Sequence, residues 1–514
     1  MIQVILSDRI YENDVYPLVK AFFPQNTVKV YEPEEKELLK QDRSLQSMQI
    51  FEKLFHANQT DCAADEISII RVELETDKVT IEVIGQGDMS LVHSAGIIPL
   101  SEDKPKHKNG IKRALYQVLT KITGKSLPWG ILTGIRPTKL VYDMLLKGMD
   151  EAGIETRMEE EYLCSKDKIR MSIKIAEREL TLLKDMDYKN GYSLYIGIPF
   201  CPSTCLYCSF TSYPLERYAD RVEEYLKALE KEISFGAECF PDKKLTTVYF
   251  GGGTPTTLTA EQLDRLLGLV RERFDFTHVK EFCVEAGRPD SITRDKLEVL
   301  KKWGVDRISI NPQSMQQRTL DLIGRRHSVE QIREAFLLAR ETGHDNINMD
   351  LIIGLPGERP EDVRDTLSQI GELNPDSLTV HTLALKRAAR LNIEKEHYAG
   401  LKAEEVPTML ADTIKFAETN GYLPYYLYRQ KNMADNLENI GYARYGREGL
   451  YNILIMEEQQ TILALGAGAM SKFVFHEENR IERVDNVKSI SDYIGRIDEM
   501  IEKKREFLKQ NKNL

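Results

Sequence analysis

The sequence predicts an α/β protein whose central part alternates between strands and helices, with a separate α+β region before it and a mainly helical region after it. Two observations carry this prediction. Short apolar strands alternate with helical segments between about residues 190 and 385, and polar or glycine-rich residues follow the strands at their carboxyl ends. Such alternation requires parallel strands joined by crossover helices, in an open sheet or in a barrel whose active site lies at those ends.

The first domain is expected over residues 1–188. MIQVIL predicts a strand, and the apolar spacing over residues 14–23 predicts a helix. The stretch ISIIRVELETDKVTIEVIG alternates like the two strands of a hairpin, and residues 110–184 are largely helical in pattern. No motif that carries chemistry occurs here, and the polar LLKDMDYKNG predicts a linker to the next domain.

The second domain is expected over residues 189–390, and it contains six strands. They are SLYIGIPF, TTVYFGGG, EFCVEAG, RISINPQ, NINMDLIIGLP and DSLTVHTLAL. The five helices between them are expected at residues 217–235, 260–273, 293–302, 329–342 and 360–373. The third domain, residues 391–514, is expected to be mainly helical, although it contains the aromatic run YLPYYLY and the small-residue stretch ALGAGAMS.

Length, composition and charge exclude several classes of protein. A chain of 514 residues has room for about three domains, and 42% hydrophobic with 29% charged residues excludes a disordered or fibrous protein. A net charge of −11 argues against a nucleic-acid partner. No apolar run approaches the about 18 residues of a membrane span, and the N-terminal sequence lacks the plan of a secretory signal. We therefore expect a cytoplasmic location.

Three of the seven cysteines, Cys201, Cys205 and Cys208, lie within eight residues of IPFCPSTCLYCSF, spaced C-x3-C-x2-C. Seven cysteines are too few for a disulfide framework, and clustered cysteines in a reducing compartment favour metal or redox chemistry. Zinc is the alternative, but it prefers four protein ligands, and position 210 is Phe. Three thiolates on one loop suit a 4Fe–4S cluster with one iron open to an exogenous ligand. The other four cysteines are expected to be small buried hydrophobes.

This cysteine motif, directly after the first core strand, resembles that of the radical S-adenosylmethionine (SAM) superfamily. The GGGTP stretch at residues 251–255 resembles the superfamily's glycine motif for SAM. The segments YIGIPFCPSTCLYCSF, YFGGGTPT, CVEAGRPD, RISINPQS and NMDLIIGLPGE occur in the order seen in oxygen-independent coproporphyrinogen III dehydrogenases and their heme-chaperone relatives. The long N-terminal extension resembles the HemZ-type branch rather than the shorter HemN enzymes. The resemblance implies a partial (β/α)6 radical SAM barrel that holds a 4Fe–4S cluster and SAM.

The resemblance also implies roles for individual residues, although no catalytic residue is assigned beyond the cluster and SAM. The SAM bound to the cluster is expected to contact Tyr195, Gly252, Glu285 and Met470. A second SAM, or the substrate, is expected in a neighbouring pocket formed by Tyr207, Gly253, Thr254, Gln313, Arg325, Asp350 and Ala384. Gln313 is followed by Arg325, Asp350 and Ala384 at intervals of 12, 37 and 71 residues, counted from Gln313, and these intervals agree with the family's pattern. Two alternatives are that Glu285 is only a strand-end carboxylate and that Arg325 and Asp350 form a structural ion pair.

The implied reaction converts two propionates of coproporphyrinogen III to vinyls, which gives protoporphyrinogen IX. The implied partners are a tetrapyrrole, either coproporphyrinogen III or heme, and a reducing electron donor such as flavodoxin or ferredoxin. Two departures keep other functions open: Phe210 replaces a further cysteine, and ENIGYA at residues 438–443 lacks the histidine of the chaperones' heme motif. The alternatives are a heme-binding or heme-trafficking protein and an anaerobic heme-modifying enzyme. Among the scattered histidines 327, 381 and 397, only His381 merits a test.

Overall fold

The computed structural model describes residues 1–32, 67–85, 90–134, 136–384, 389–393, 403, 405–430 and 437–511. Cys62 and His397 lie outside these residues. The chain divides into two compact units, Met1–Ile173 and Lys174–Leu514. The finer division at residues 188 and 390 remains a prediction. Among the described residues, no helix has the length and apolarity needed to cross a membrane.

The first unit contains a five-stranded mixed sheet in the order β2-β1-β3-β4-β5. Its strands are β1 (Ile2–Leu6), β2 (Val28–Tyr31), β3 (Ile67–Leu74), β4 (Lys78–Gly85) and β5 (Ser90–Gly96). Its helices are α1 (Glu12–Phe22), α2 (Lys104–Thr123), α3 (Thr138–Leu146), α4 (Glu151–Glu160) and α5 (Lys166–Lys184), within which the boundary between the units falls. The strand, helix and antiparallel hairpin expected near the N-terminus are confirmed.

The second unit is organised by an eleven-stranded sheet, and β7 pairs separately with β8. Its strands are β6 (Gly191–Ile198), β7 (Phe200–Cys201), β8 (Tyr213–Pro214), β9 (Lys244–Gly252), β10 (Glu281–Gly287), β11 (Arg307–Ile310), β12 (Ile347–Ile353), β13 (Ser377–Thr382), β14 (Leu423–Tyr428), β15 (Asn439–Ala443), β16 (Thr461–Leu465), β17 (Met470–Phe475) and β18 (Arg480–Asp485). The six expected core strands pair in parallel in chain order, β6-β9-β10-β11-β12-β13. They form the partial barrel that the sequence predicts.

Crossover helices connect the core strands, close to their expected bounds. The helices of this unit are α6 (Leu215–Tyr218), α7 (Val222–Gly236), α8 (Ala260–Arg273), α9 (Arg294–Lys302), α10 (Gln317–Leu322), α11 (Val329–Glu341), α12 (Pro360–Leu373), α13 (Arg390–Ile393), α14 (Val406–Thr419), α15 (Leu450–Glu457), α16 (Ile490–Gly495) and α17 (Ile497–Gln510). Local sequence explains where several begin: Thr259 and Ser328 form capping boxes with Gln262 and Gln331, and Pro360 occupies the first turn of α12.

The C-terminal part contains helices, as expected, and in addition five strands that the sequence analysis does not predict. The aromatic run YLPYYLY forms β14, which pairs with β15, and β15 pairs with β13 at one edge of the core. At the other edge β16 pairs in parallel with β6. The pairing of β15 with β13 and of β16 with β6 joins segments that are distant in the chain, so no local sequence pattern indicates it.

Candidate functional site

Four core strands each carry one partly exposed residue in an otherwise buried run. These residues are Tyr195 in β6, Glu285 in β10, Asp350 in β12 and His381 in β13. Strands of a parallel sheet covered by helices are normally buried on both faces, so a partly exposed position marks solvent reaching the interior of the barrel. We call this interior the barrel cavity; Tyr249 and Tyr428 also line it.

Contacts between neighbouring side chains connect the lining of the barrel cavity. The rings of Tyr195 and Tyr249 stack with centroids 6.2 Å apart, and the ring of Tyr451, in α15, stacks 4.4 Å from that of Tyr249. The Tyr249 hydroxyl donates to Glu285 Oε1 at 2.5 Å. The three sequence-distant tyrosines therefore form one aromatic wall that ends at a carboxyl group.

Glu285 is a titratable group at neutral pH. Burial raises its pKa to about 7, hydrogen bonds from Tyr249 and from the backbone of Gly252 oppose the shift, and the charge of Asp350 adds to it. A carboxyl group in this state can accept a hydrogen bond as a carboxylate or carry a proton. A buried carboxyl group whose pKa is raised in this way, at a cavity, is typical of a functional site, and a binding role for Glu285 stays a prediction.

The glycine run at the end of β9 lies directly against the strand that leads to the cysteines. Gly252 has φ +109°, which favours glycine. A Cβ at Gly253 would stand 2.5 Å from the carbonyl oxygen of Phe200 and 2.9 Å from that of Ile198. The backbone N–H of Gly253 donates to Ile198 at 2.7 Å, and that of Thr254 donates to Phe200 at 2.7 Å. The run forms a cradle that only glycine can build.

The three clustered cysteines carry free thiols beside this cradle. Cys205 is buried, while Cys201 and Cys208 are half-buried. The Thr254 hydroxyl donates to the Cys201 sulfur at 3.5 Å. Burial raises the pKa of the Cys201 thiol to about 11, and the other two cysteines are close enough to add to the shift. A positively charged iron centre would offset the cost of forming thiolates there.

This donor set fits a cluster better than a single ion. In the described part of the chain, no three His, Cys, Asp or Glu side chains converge on one metal position. A 4Fe–4S cluster does not require such convergence, because each thiolate ligates a different iron. Within the described residues, three thiols that no fourth protein ligand joins at one metal position would leave one iron open to an exogenous group.

Gln313 is held in an uncommon backbone conformation at the edge of the second proposed pocket. Its φ is +67°, a value that few residues other than glycine adopt. Its backbone N–H donates to the Asp350 carbonyl, and its own carbonyl accepts from Ile352, both at 2.9 Å. The buried side-chain oxygen has no hydrogen-bond partner within the described ranges. A strained residue with an unsatisfied buried atom is suited to ligand binding.

Arg325 is also buried with unused hydrogen-bonding capacity. Its Nη1 donates to the carbonyl of Asn311, and it interacts with Tyr207 and Cys205. Its Nε has no partner among the residues that the structure describes. Arg325 and Asp350, both described, do not form an ion pair, so the structural ion-pair alternative is wrong.

Asp350 instead has its own partners. Asn348 donates to its Oδ1 at 2.7 Å, His381 Nε2 lies 3.7 Å from its Oδ2, and His381 Nδ1 is 3.2 Å from the Tyr428 hydroxyl. Burial alone would raise the pKa of Asp350, but hydrogen bonding and the charge of His381, with help from Asn348 and Thr379, hold it below its usual range. Asp350 therefore presents a carboxylate to the barrel cavity.

Met470 and Ala384 are the two remaining residues of the expected SAM sites. Ala384 is half-buried just after β13, and Met470 is 44% exposed at the start of β17. The turn before Met470 is fixed by buried Glu232, which accepts from the backbone of Gly466 at 2.8 Å, from Tyr493 at 2.6 Å and from Lys504 at 2.7 Å. A ligand contact through Met470 remains a prediction.

Three other features noted in the sequence are not among the groups described so far. Asn439–Ala443, most of the stretch compared with the chaperones' heme motif, is strand β15 and is buried throughout. Phe210 is 71% exposed. His327 is buried, with neither ring nitrogen hydrogen-bonded inside the described part of the chain.

Sequence reasoning missed Tyr249, Tyr451 and Tyr428. Tyr249 stands two residues before Gly251, and so on the same face of β9, a signal that alternation could have provided. Tyr451 and Tyr428 come from elements far along the chain, and no local pattern connects them with the barrel.

Comparisons with known proteins give a consistent result. The sequence model of the radical SAM superfamily matches residues 195–370. The chain is 46% identical over 407 residues to the oxygen-independent coproporphyrinogen-III oxidase-like protein HemZ of Bacillus subtilis (strain 168), with 78% of this chain and 81% of that protein covered. It is 31% identical to the heme chaperone HemW of the same organism, with 60% and 76% covered. The solved coproporphyrinogen III oxidase HemN of Escherichia coli, a radical SAM enzyme, matches with a TM-score of 0.50 and 27% identity, with 62% and 72% covered.

Proposed function

Because the chain belongs to the radical SAM family of the HemZ-type coproporphyrinogen-III oxidase-like proteins, we propose that it is an enzyme that oxidatively decarboxylates two propionates of coproporphyrinogen III. The product is protoporphyrinogen IX. Membership of this family implies a 4Fe–4S cluster and SAM. We place the enzyme in the cytoplasm, where thiols stay reduced, with flavodoxin or ferredoxin as the electron donor.

The observation that most supports the proposal is the contact between the glycine cradle and β7, the short strand that contains Cys201. Thr254, at the end of the cradle, donates to the Cys201 sulfur at 3.5 Å. A molecule whose amino-acid end rests on the cradle therefore lies beside the three thiols. We assign Cys201, Cys205 and Cys208 as the cluster ligands.

When bound, the cluster and SAM would supply a radical able to take one hydrogen atom from the propionate β-carbon; loss of carbon dioxide, with transfer of one electron to an external one-electron acceptor, would then leave a vinyl group. The protein's own residues bind and orient the reactants and exclude water. Tyr195, Gly252 and Glu285 hold the SAM at the cluster, with Met470 against its adenine.

A second SAM is proposed in the adjacent pocket, where Tyr207, Gly253, Thr254, Gln313, Arg325, Asp350 and Ala384 lie. The planar guanidinium of Arg325 suits a carboxylate, from either the methionyl group or a substrate propionate. Asp350 and Gln313 offer hydrogen bonds to an amino group or a ribose. The unsatisfied Nε of Arg325 and Oε1 of Gln313, within the described residues, support a ligand at this place.

The test is anaerobic turnover of the cluster-loaded protein with SAM, a reductant and coproporphyrinogen III. We expect protoporphyrinogen IX and 5′-deoxyadenosine, and neither with Cys205→Ala. Heme binding without turnover would contradict the proposal and favour a heme-trafficking role, to which the likeness to HemW points. Loss of the Soret band of added heme under the same conditions would indicate heme modification.

A further inference from the structure

One buried side chain that carries none of the roles above touches the cysteine loop. Arg288, directly after β10, is 3% exposed. Its Nη1 donates to the Ser203 hydroxyl at 2.7 Å and to the Ser203 carbonyl at 3.1 Å, and it lies 3.9 Å from the Cys205 sulfur. The guanidinium thus reaches the loop between the first two cysteines through both backbone and side-chain atoms.

Asp290 fixes the opposite side of the same guanidinium. Nε and Nη2 of Arg288 donate to the two carboxylate oxygens at 2.9 and 2.6 Å. This bidentate pairing sets the plane of the group and directs Nη1 at the loop. Lysine, a point charge without the planar fork, cannot hold both sides at once.

We propose that Arg288 is a positioning residue for the iron–sulfur cluster that fixes the cysteine loop through Ser203 and raises the cluster's reduction potential by donating to the Cys205 sulfur. The inference rests on the proposed ligation by the three cysteines. Reduction adds negative charge to a cluster, so a fixed positive charge and an N–H donor at a ligand sulfur stabilise the reduced form.

The test is a redox titration of the reconstituted protein, followed by the electron paramagnetic resonance signal of the reduced cluster, together with iron analysis. We expect Arg288→Gln to keep about four irons per chain and to have a more negative reduction potential than the wild type. Arg288→Lys is expected to fall between them. Arg294→Gln is the matched control, because Arg294 is exposed and pairs with Glu341 on the surface, and its potential should equal that of the wild type.

In Arg288→Gln the potential could fall for two reasons: the donor to the Cys205 sulfur is lost, and the charge of Asp290 is left without its arginine. A double variant distinguishes these two causes. In Arg288→Gln with Asp290→Asn both charges are gone. If the hydrogen bond to sulfur matters, the potential stays below that of the wild type. A return to the wild-type potential would overturn the role assigned to the donor.

Two further results keep the inference separable from the proposed function. An unchanged potential in fully loaded Arg288→Gln overturns the inference alone, whereas full iron content in Cys205→Ala overturns the ligand assignment. If Arg288→Gln takes up no iron, Ser203→Ala replaces it. That variant should load normally and lose iron faster to a chelator, and an unchanged rate of loss would contradict the loop-fixing role.

Discussion

The two sides of the barrel cavity offer a ligand different kinds of contact. On the side of β6 and β9 the surface is shaped by the backbone: the glycine cradle packs against β7, the short strand that contains Cys201, and the carboxyl group of Glu285 stands at its edge. On the side of β11 and β12 the side chains offer the contacts, since Gln313 and Arg325 are buried with polar atoms that have no partner among the described residues, and Asp350 is ionised. The first side therefore tolerates little change in volume, and the second side little change in charge.

The largest expected effect is on the cysteine loop, on which the first side depends. Cys205→Ala should abolish cluster binding, because each thiolate would ligate a different iron and the loop has no further cysteine to replace the one removed. Iron analysis after anaerobic reconstitution checks this, with a fall from about four irons per chain to near zero. Cys239→Ala, which removes another free thiol of the same unit, is the control and should load normally.

The next largest effect tests backbone recognition. Gly253→Ala places a methyl group 2.5 Å from the Phe200 carbonyl oxygen, and backbone atoms must move to admit it. We expect SAM cleavage to fall about 100-fold, because a displacement of the cradle misplaces the ligand. Release of 5′-deoxyadenosine measures this. Gly495→Ala, where the added Cβ has nothing within 4 Å, should cleave SAM at the wild-type rate.

The carboxyl group at the edge of the cradle should make SAM binding depend on pH. Because burial raises the pKa of Glu285 to about 7, the carboxylate that accepts a hydrogen bond forms only as the pH rises through that value. SAM affinity should therefore increase from pH 6 to 8 in the wild type. In Glu285→Gln it should be independent of pH and weaker by about 1.5–3 kcal/mol, roughly 10- to 150-fold.

Isothermal titration at several pH values, with the cluster intact, checks this dependence. Exposed Glu298→Gln is the control for a general loss of negative charge. A pH dependence that persists in Glu285→Gln would show that another group titrates, and the backbone side would then lack its proposed carboxylate.

The smallest expected effect lies on the side-chain side. His381 helps to hold the pKa of Asp350 low, so His381→Ala should raise it. The affinity of the second pocket should weaken by about 0.5–1.5 kcal/mol, and as the pH falls the loss should begin at a higher pH than in the wild type. Binding titrations between pH 5 and 8 measure this. If Asp350→Asn and His381→Ala have additive effects, the two residues are not coupled.

This contrast also explains which parts of the molecule the sequence predicts. The cysteines and the glycine run are local motifs, and the alternation of the core gives strand order and helix positions close to those observed. The contact of Tyr428 with His381 brings together β14 and β13, whose pairing through β15 no sequence period reveals. Arg325 and Gln313 could be predicted as site residues only through the family resemblance, because a single arginine or glutamine forms no sequence motif.

The backbone conformation of Gln313 and the packing of Tyr451 against Tyr249 are likewise consequences of tertiary structure. Gln313 is held at positive φ by hydrogen bonds to β12, about 37 residues away in the chain. Tyr451 is brought to the barrel by α15, whose first backbone N–H groups donate to buried Glu281 at the start of β10. Neither constraint can be predicted from the propensities of the residues nearby in the sequence.

The number of SAM molecules bound per chain tests the two-sided cavity most directly. Equilibrium dialysis of the anaerobic, cluster-loaded protein against saturating SAM should give two per chain in the wild type and in Arg326→Ala, whose side chain is 75% exposed. Arg325→Ala should bind one, while slow SAM cleavage at the cluster continues. A wild-type protein with an intact cluster that binds a single SAM at saturation would contradict the second site.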